Sequence, residues 1–181
     1  MQDKSSSEII KLIQDKATVE LGFRYIVSQY KERLYWLIRR MVVHHSDAED
    51  VMQNTFLKVW KNIDKYRGDA ELYTWLYRIA VNESLAFLNQ KKRQQFNLSD
   101  YGEVLSSQLE SDTYFDGTEA QRKLQKAILK LPEQQRLVFN LRYYDEMKYQ
   151  DMAKILDKSE GALKANYHHA VKKVEEYFKQ F

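Results

Sequence analysis

The stretch SDAEDVMQNTFLKVWKNI, residues 46–63, decides the fold class. Ala48, Val51, Met52, Phe56, Val59 and Ile63 recur at three- and four-residue steps, the spacing that aligns side chains along one face of a helix. Asp47, Asp50, Gln53, Asn54, Lys58 and Lys61 fall to the other side, towards solvent or a partner. One apolar stripe and one polar face make an amphipathic helix. Ser46-Asp47-Ala48-Glu49 reads as the capping box that opens it.

The same periodicity continues in both directions. Upstream, it predicts a short helix from Glu8 to about Lys16 and a longer one from about Val19 to Val43, rich in Phe, Tyr, Leu and Ile. Downstream, Tyr66-Arg67-Gly68-Asp69 breaks the chain, with Asp69 as the expected N-cap. A long helix is then expected from about Ala70 to Arg93. Residues 94–118 differ: they hold Asp100, Glu103, Glu110, Asp112 and Asp116, no Lys or Arg, and weak apolar periodicity. About 25 residues without regular structure are unusual inside one compact domain, so a flexible acidic linker between two domains is expected here. A second helical block opens on Thr118-Glu119-Ala120-Gln121, another capping box, and Pro132 suits the first turn of its next helix. A short helix over about 149–156, the turn Asp157-Lys158-Ser159 and a longer amphipathic helix complete a helix-turn-helix pattern. The expectation is an all-α chain of two small helical domains, residues 1–93 and 119–181, joined by residues 94–118.

Composition narrows the functions available. One proline and five glycines in 181 residues are too few for a strand-rich fold. The absence of cysteine removes disulfides and thiolate metal sites and makes a reducing cytoplasm the natural setting. No apolar run approaches the roughly 20 residues of a membrane span, and the polar start Met1 to Ser7 lacks the apolar core of a signal peptide. No glycine-rich phosphate loop, nucleophile motif or metal-ligand cluster points to an enzyme, and no cofactor is expected. The adjacent pair His168-His169 diverges by about 100° on a helix, which disfavours chelation of one ion. A net charge of +3 neither demands nor excludes nucleic acid.

Several separated motifs, in order, resemble the extracytoplasmic-function (ECF) family of bacterial sigma factors. Asp47-Ala48-Glu49-Asp50-Val51-Met52-Gln53-Asn54-Thr55-Phe56, Tyr66-Arg67-Gly68-Asp69 and Tyr73-Thr74-Trp75-Leu76-Tyr77-Arg78-Ile79-Ala80-Val81-Asn82 resemble its region two. Leu131-Pro132-Glu133, Val138-Phe139 and Leu141-Arg142-Tyr143 resemble the opening of region four, and Tyr149 to Tyr167 its helix-turn-helix. The resemblance implies core RNA polymerase and promoter DNA, both duplex and melted nontemplate strand, as partners. An anti-sigma factor is a further partner that it brings into view.

By position, the resemblance gives Asp50, Gln53 and Asn54 to the polymerase clamp; the competing reading is an ordinary solvated helix face. Asn54 stands where the family more often has a carboxylate. Arg78, Asn82, Asn89 and Arg93 share one stripe of the long helix, with Lys92 beside it. The family reads the minus-ten element with this segment, and Asn82 matches its base pocket. Tyr66, Tyr73 and Trp75 are aromatic candidates for the melted strand, although Trp75 sits beside the Leu72-Leu76-Ile79 core stripe. On the last helix, Lys164, Ala165, Asn166, His168, His169 and Lys172 are expected to face the minus-thirty-five element, without the arginines that many relatives place there. A stand-alone helix-turn-helix regulator is the alternative, but it gives no role to the polar face of residues 46–62.

Overall fold

The computed structural model describes residues 4–94, 105–107, 109 and 117–180. Among the described residues all regular structure is helical. The N-terminal half contains α1 (Ser6–Gln14), α2 (Val19–Val42), α3 (His45–Asn62) and α4 (Leu72–Gln94), with a single 3₁₀ turn at Ile63–Lys65. The C-terminal half contains α5 (Glu119–Leu129), α6 (Glu133–Tyr143), α7 (Tyr149–Leu156) and α8 (Glu160–Lys179). The acidic segment lies largely outside the described residues.

Helix α2 is the spine of the first half, because α1, α3 and α4 all pack against it. Its Ile26, Leu34, Leu37 and Ile38 are fully buried. Gly22 is where α1 crosses closest: a Cβ there would meet Ile13 Cγ2 at 2.6 Å. Helix α8 has the same role in the second half, packing on α5, α6 and α7.

Local chemistry sets most boundaries. Ser5 caps α1 through a capping box: its hydroxyl accepts from the Glu8 N–H while the Glu8 carboxylate accepts from the Ser5 N–H. The Ser5 hydrogen bonds, side chain first, hold the Glu8 carboxyl down to about 2. Thr118 and Gln121 form the expected box at α5. Ser159 caps α8 by accepting from the Ala162 N–H at 3.2 Å.

Several expected boundaries move, and α1 runs Ser6–Gln14, two residues ahead of the expected span from Glu8 to about Lys16. Helix α3 begins at His45, two residues earlier than a Ser46 cap would start it, so Ser46 lies inside it and meets the His44 ring at 2.9 Å instead of capping. Glu49 turns to His45 at 3.5 Å, and no capping box forms. Helix α4 starts at Leu72, past Asp69, because Gly68 turns the chain at φ 81° and delays regular structure. Pro132 is the N-cap of α6 and not its first helical residue.

Two features were not legible beforehand. Val43, at the α2–α3 corner, takes φ 69° and ψ −53°, and the His44 N–H donates to the Val42 carbonyl at 2.9 Å. That is a γ-turn of the rare, strained hand, held because the Val43 side chain is buried. The second feature is the core, which does not stop at the linker. Leu105 and Leu109 are fully buried in the main cluster. So are Leu137, Met152 and Ile155 of the C-terminal half, together with Leu37, Leu76 and Leu88 of the N-terminal half. Helix α7 lies on α4, and α6 meets α2.

Candidate nucleic-acid and polymerase interfaces

The α3 face follows from periodicity. Ala48, Val51, Thr55 and Val59 are buried, which turns Asp50, Gln53 and Asn54 outward, all exposed. Thr55 tolerates full burial because its hydroxyl donates to the Val51 carbonyl at 2.8 Å. The flank of α3 is tied to α4 by Asp47–Lys91 at 2.6 Å and by Lys58–Glu83. An apolar groove of about 560 Å³ runs beside Gln53, between α2 and α3. Phe23, Val27, Phe56, Leu57 and Trp60 line it. The Phe23 and Trp60 rings meet edge-on at 5.1 Å, yet Trp60 remains 41% exposed and Leu57 51%. Sequence reasoning missed this groove, although Leu57 and Trp60 lie off the buried stripe and were the available signal.

The α4 surface divides the aromatic candidates. Tyr66 is only 6% exposed; its hydroxyl donates to the Ala70 carbonyl at 2.6 Å, and its ring lies 5.1 Å from Trp75. Burial raises its hydroxyl above the ordinary range, with the Glu71 carboxylate adding to the effect. Tyr66 is therefore built in as a strut, and Trp75 is half-buried against it. Tyr73 is half-buried too, edge-on to Tyr77 at 6.2 Å. Its hydroxyl is raised first by burial and then by a hydrogen bond to Asp151 of α7.

Arg78, Asn82, Asn89 and Arg93 are exposed along α4, and Lys92 is half-buried. Part of this stripe faces the other half of the chain. Arg78 donates to the Lys154 carbonyl, and Lys92 pairs with Glu133. Asn82 lines a crevice of about 400 Å³ whose far wall includes Gln134, Leu137, Ile155 and Lys158.

Deeper in the same junction, Arg40 of α2 pairs with Asp145, just past α6, at 3.0 Å. The Arg40 guanidinium also stacks on Tyr144 at 4.6 Å, and the Tyr77 hydroxyl reaches Asp145 at 3.4 Å. Burial pushes the Asp145 carboxyl above its ordinary value, against the pull of Arg40. Burial pushes Tyr77 up to about 12. Arg40 Nε, Asp145 Oδ2 and Asn140 Oδ1 are buried there without hydrogen-bond partners.

The helix-turn-helix is formed by α7, a left-handed Asp157 at φ 52° and ψ 50°, and α8. Asp is among the few residues that enter this conformation readily. Leu163, Ala170 and Val174 bury the inner face of α8. Lys164, Ala165, His168, His169 and Lys172 are exposed. Asn166 is half-buried, and its amide donates to the Ala162 carbonyl of its own helix at 2.9 Å. The His168 and His169 rings tilt at 59° with centroids 5.9 Å apart, and no group of three or more metal-binding side chains occurs among the described residues.

Residues 26–94 match the sigma-70 region 2 family and residues 121–174 the sigma-70 region 4 family. Over 156 residues the chain is 30% identical to the ECF RNA polymerase sigma factor SigW of Bacillus subtilis, covering 81% of this chain and 83% of that protein. It is also 30% identical over 163 residues to the ECF RNA polymerase sigma-E factor of Haemophilus influenzae, covering 85% and 86%. The fold is similar to that of the sigma factor RpoE solved in complex with the anti-sigma factor NepR from Bartonella quintana. That match has a TM-score of 0.69 at 21% identity and covers 87% of this chain and 96% of that one. CnrH, solved in complex with the cytosolic domain of CnrY, aligns with a TM-score of 0.67 at 18% identity, covering 97% and 95%.

Proposed function

This chain belongs to the ECF family of RNA polymerase sigma factors, and from that membership we propose that it directs core RNA polymerase to particular promoters and starts their melting. One observation carries the reading: polar faces stand exposed on α3 and α8 in the order in which the region 2 and region 4 families occur along the chain. Nucleotide addition belongs to core polymerase in this reading, and the chain works where polymerase and chromosome meet, in the bacterial cytoplasm. The domains are residues 1–93 and 119–181, with residues 94–118 as the tether.

The α3 face docks on polymerase. Asp50, Gln53 and Asn54 give it polar specificity, and the exposed Leu57 and Trp60 give it apolar area. Interfaces draw most of their affinity from such aromatic anchors. Helix α4 then supplies the minus-ten contacts. Arg78, Lys92 and Arg93 suit phosphate, while Asn82 and Asn89 suit base edges. Unstacking the duplex costs a few kcal/mol per step, which capture of the single strand offsets. Tyr73 and the open part of Trp75 provide ring surface for stacking. Helix α8 enters the major groove at the minus-thirty-five element with Ala165 at the point of close approach. An anti-sigma factor is the expected antagonist, as for the RpoE relative.

The experiment is the double variant Asp50→Ala, Gln53→Ala. Both side chains are exposed, so thermal unfolding should be unchanged. Each lost interface hydrogen bond costs about 1 kcal/mol or more, so affinity for core polymerase should fall roughly thirtyfold. Unchanged affinity at moderate salt rejects the α3 assignment. A stand-alone helix-turn-helix regulator predicts no specific binding of core polymerase by the parent chain, together with operator binding in the absence of polymerase.

A further inference from the structure

We propose that His168 and His169 form a proton-dependent grip on the minus-thirty-five duplex, each imidazolium holding a phosphate on an opposite wall of the major groove. The inference rests on the assignment of α8 to that element. Leu163, Ala170 and Val174 define the buried side of α8. At about 100° per residue, Ala165 and Lys172 fall near the midline of the opposite side. His168 and His169 fall roughly 50° to either side of that midline. Both rings are exposed, with centroids 5.9 Å apart and planes tilted at 59°. A helix that seats Ala165 on the floor of the groove therefore sends one ring towards each DNA strand. The rings lie about one turn further along the axis, which leaves the base edges to Ala165 and its neighbours.

The surroundings leave both rings open to a partner. Among the described residues neither His168 nor His169 makes a hydrogen bond or an ion pair. Their charged neighbours within one turn of α8 are Lys164, Lys172 and Lys173, all cationic. Glu160, at the start of α8, pairs with Lys164 at 3.6 Å, and Glu175 and Glu176 follow about two turns beyond the rings. From α6 and α7, Arg142 and Tyr149 reach α8 at Lys164, which lies 5.6 Å from the Tyr149 ring. From α5, Lys123 and Lys130 reach Phe178 and Tyr177, at the far end of α8. Imidazole is the side chain that changes charge between about pH 5 and 8, and a neighbouring anion favours its charged form. DNA phosphates therefore draw protons onto the pair when α8 binds. The bound state holds more protons than the free state, so affinity falls as pH rises through this range.

The test uses the full-length chain assembled with core polymerase, in the cold, where the promoter stays closed. One duplex probe is a promoter fragment that the holoenzyme opens. The other is the same fragment shortened so that it lacks the minus-thirty-five element. Affinity is measured over a salt series at about pH 5.5 and about pH 8, on either side of the imidazole range. The variant His168→Gln, His169→Gln removes the charge and keeps polar side chains. The variant His168→Lys, His169→Lys fixes the charge. Both positions are exposed, and thermal unfolding checks that each variant folds.

Each pKa unit by which phosphate favours one imidazolium changes affinity about tenfold. On the long probe the parent should therefore bind at least about tenfold tighter than the Gln pair at the lower pH, and that advantage should shrink as pH rises. Each phosphate contact steepens the dependence of log affinity on log salt by about 0.9, so the parent slope should exceed that of the Gln pair by about 1.8 at the lower pH. The Lys pair should keep the steep slope at both pH values. An advantage over the Gln pair that is equal at both pH values overturns the proposal, because neutral rings then make the contact. A parent and a Gln pair that match throughout overturn it too. A Lys pair no tighter than the Gln pair at the higher pH overturns phosphate as the ligand. The short probe tests the underlying assignment separately. Equal affinity for both probes at every pH removes α8 from the minus-thirty-five element. Weaker binding of the short probe, with no pH-dependent difference between parent and Gln pair, keeps α8 there and refutes the grip.

Discussion

The sequence offers Tyr66 as a ring for melted DNA, whereas the structure packs that ring into the core. It is 6% exposed, and its hydroxyl donates to the Ala70 carbonyl. Truncating a buried aromatic side chain to alanine costs about 3–5 kcal/mol. For a chain of this size each kcal/mol moves Tm by roughly 2–4 °C, so Tyr66→Ala should unfold about 6–20 °C below the parent. Tyr66→Phe keeps the ring against Trp75 and loses only the hydroxyl, at a cost of about 1 kcal/mol. The assays are urea denaturation of each variant and permanganate footprinting of its holoenzyme. A strut predicts that Phe preserves melting and that Ala loses stability. The result that refutes the reasoning is an Ala variant within about 0.5 kcal/mol of the parent, the scatter of surface substitutions, whose holoenzyme nevertheless fails to open promoters.

Three further outcomes are expected. Asn82→Ala should leave core binding intact, reduce open-complex formation and relax preference at one minus-ten position; footprinting across single-base promoter variants measures both. Replacing residues 119–181 with the corresponding block of another sigma factor should move minus-thirty-five preference to the donor while minus-ten preference stays. Transcription from four promoters, pairing each upstream element with each downstream one, checks this. Tyr77 has its hydroxyl pushed from 10.0 up to about 12 in the folded chain. A folded-state value above the unfolded one gives stability that is complete below 10 and lost as pH rises towards 12. Tyr77→Phe should therefore flatten that decline, measured as urea midpoints on either side of this window.

The helices were legible because periodicity and capping report on the chain locally. The span Tyr149–Leu156 and the caps at Thr118 and Ser159 needed only neighbours within four residues. The burial of Tyr66 was not legible because a tyrosine is apolar along its ring and polar at its tip, so sequence alone does not say which end meets water. The Arg40–Asp145 pair joins residues 105 positions apart, and no local pattern reports such a partner. Leu105 and Leu109 sit in an acidic segment whose composition suggested only a tether. Their burial adds anchoring points within it, a property carried by two residues and not by an average. The α3 face was visible as polar residues on a helix, while the groove at Leu57 and Trp60 required knowing where α2 lies.

The core that continues from α4 into α6 and α7 makes the contact between the two halves of the chain a function of temperature. Separating the halves moves Leu85, Leu137 and Ile155 towards water, and exposure of apolar surface raises heat capacity. The association of such surfaces weakens on cooling. The contact between the halves should therefore be loosest in the cold and firmer as the temperature rises through the range in which apolar association strengthens.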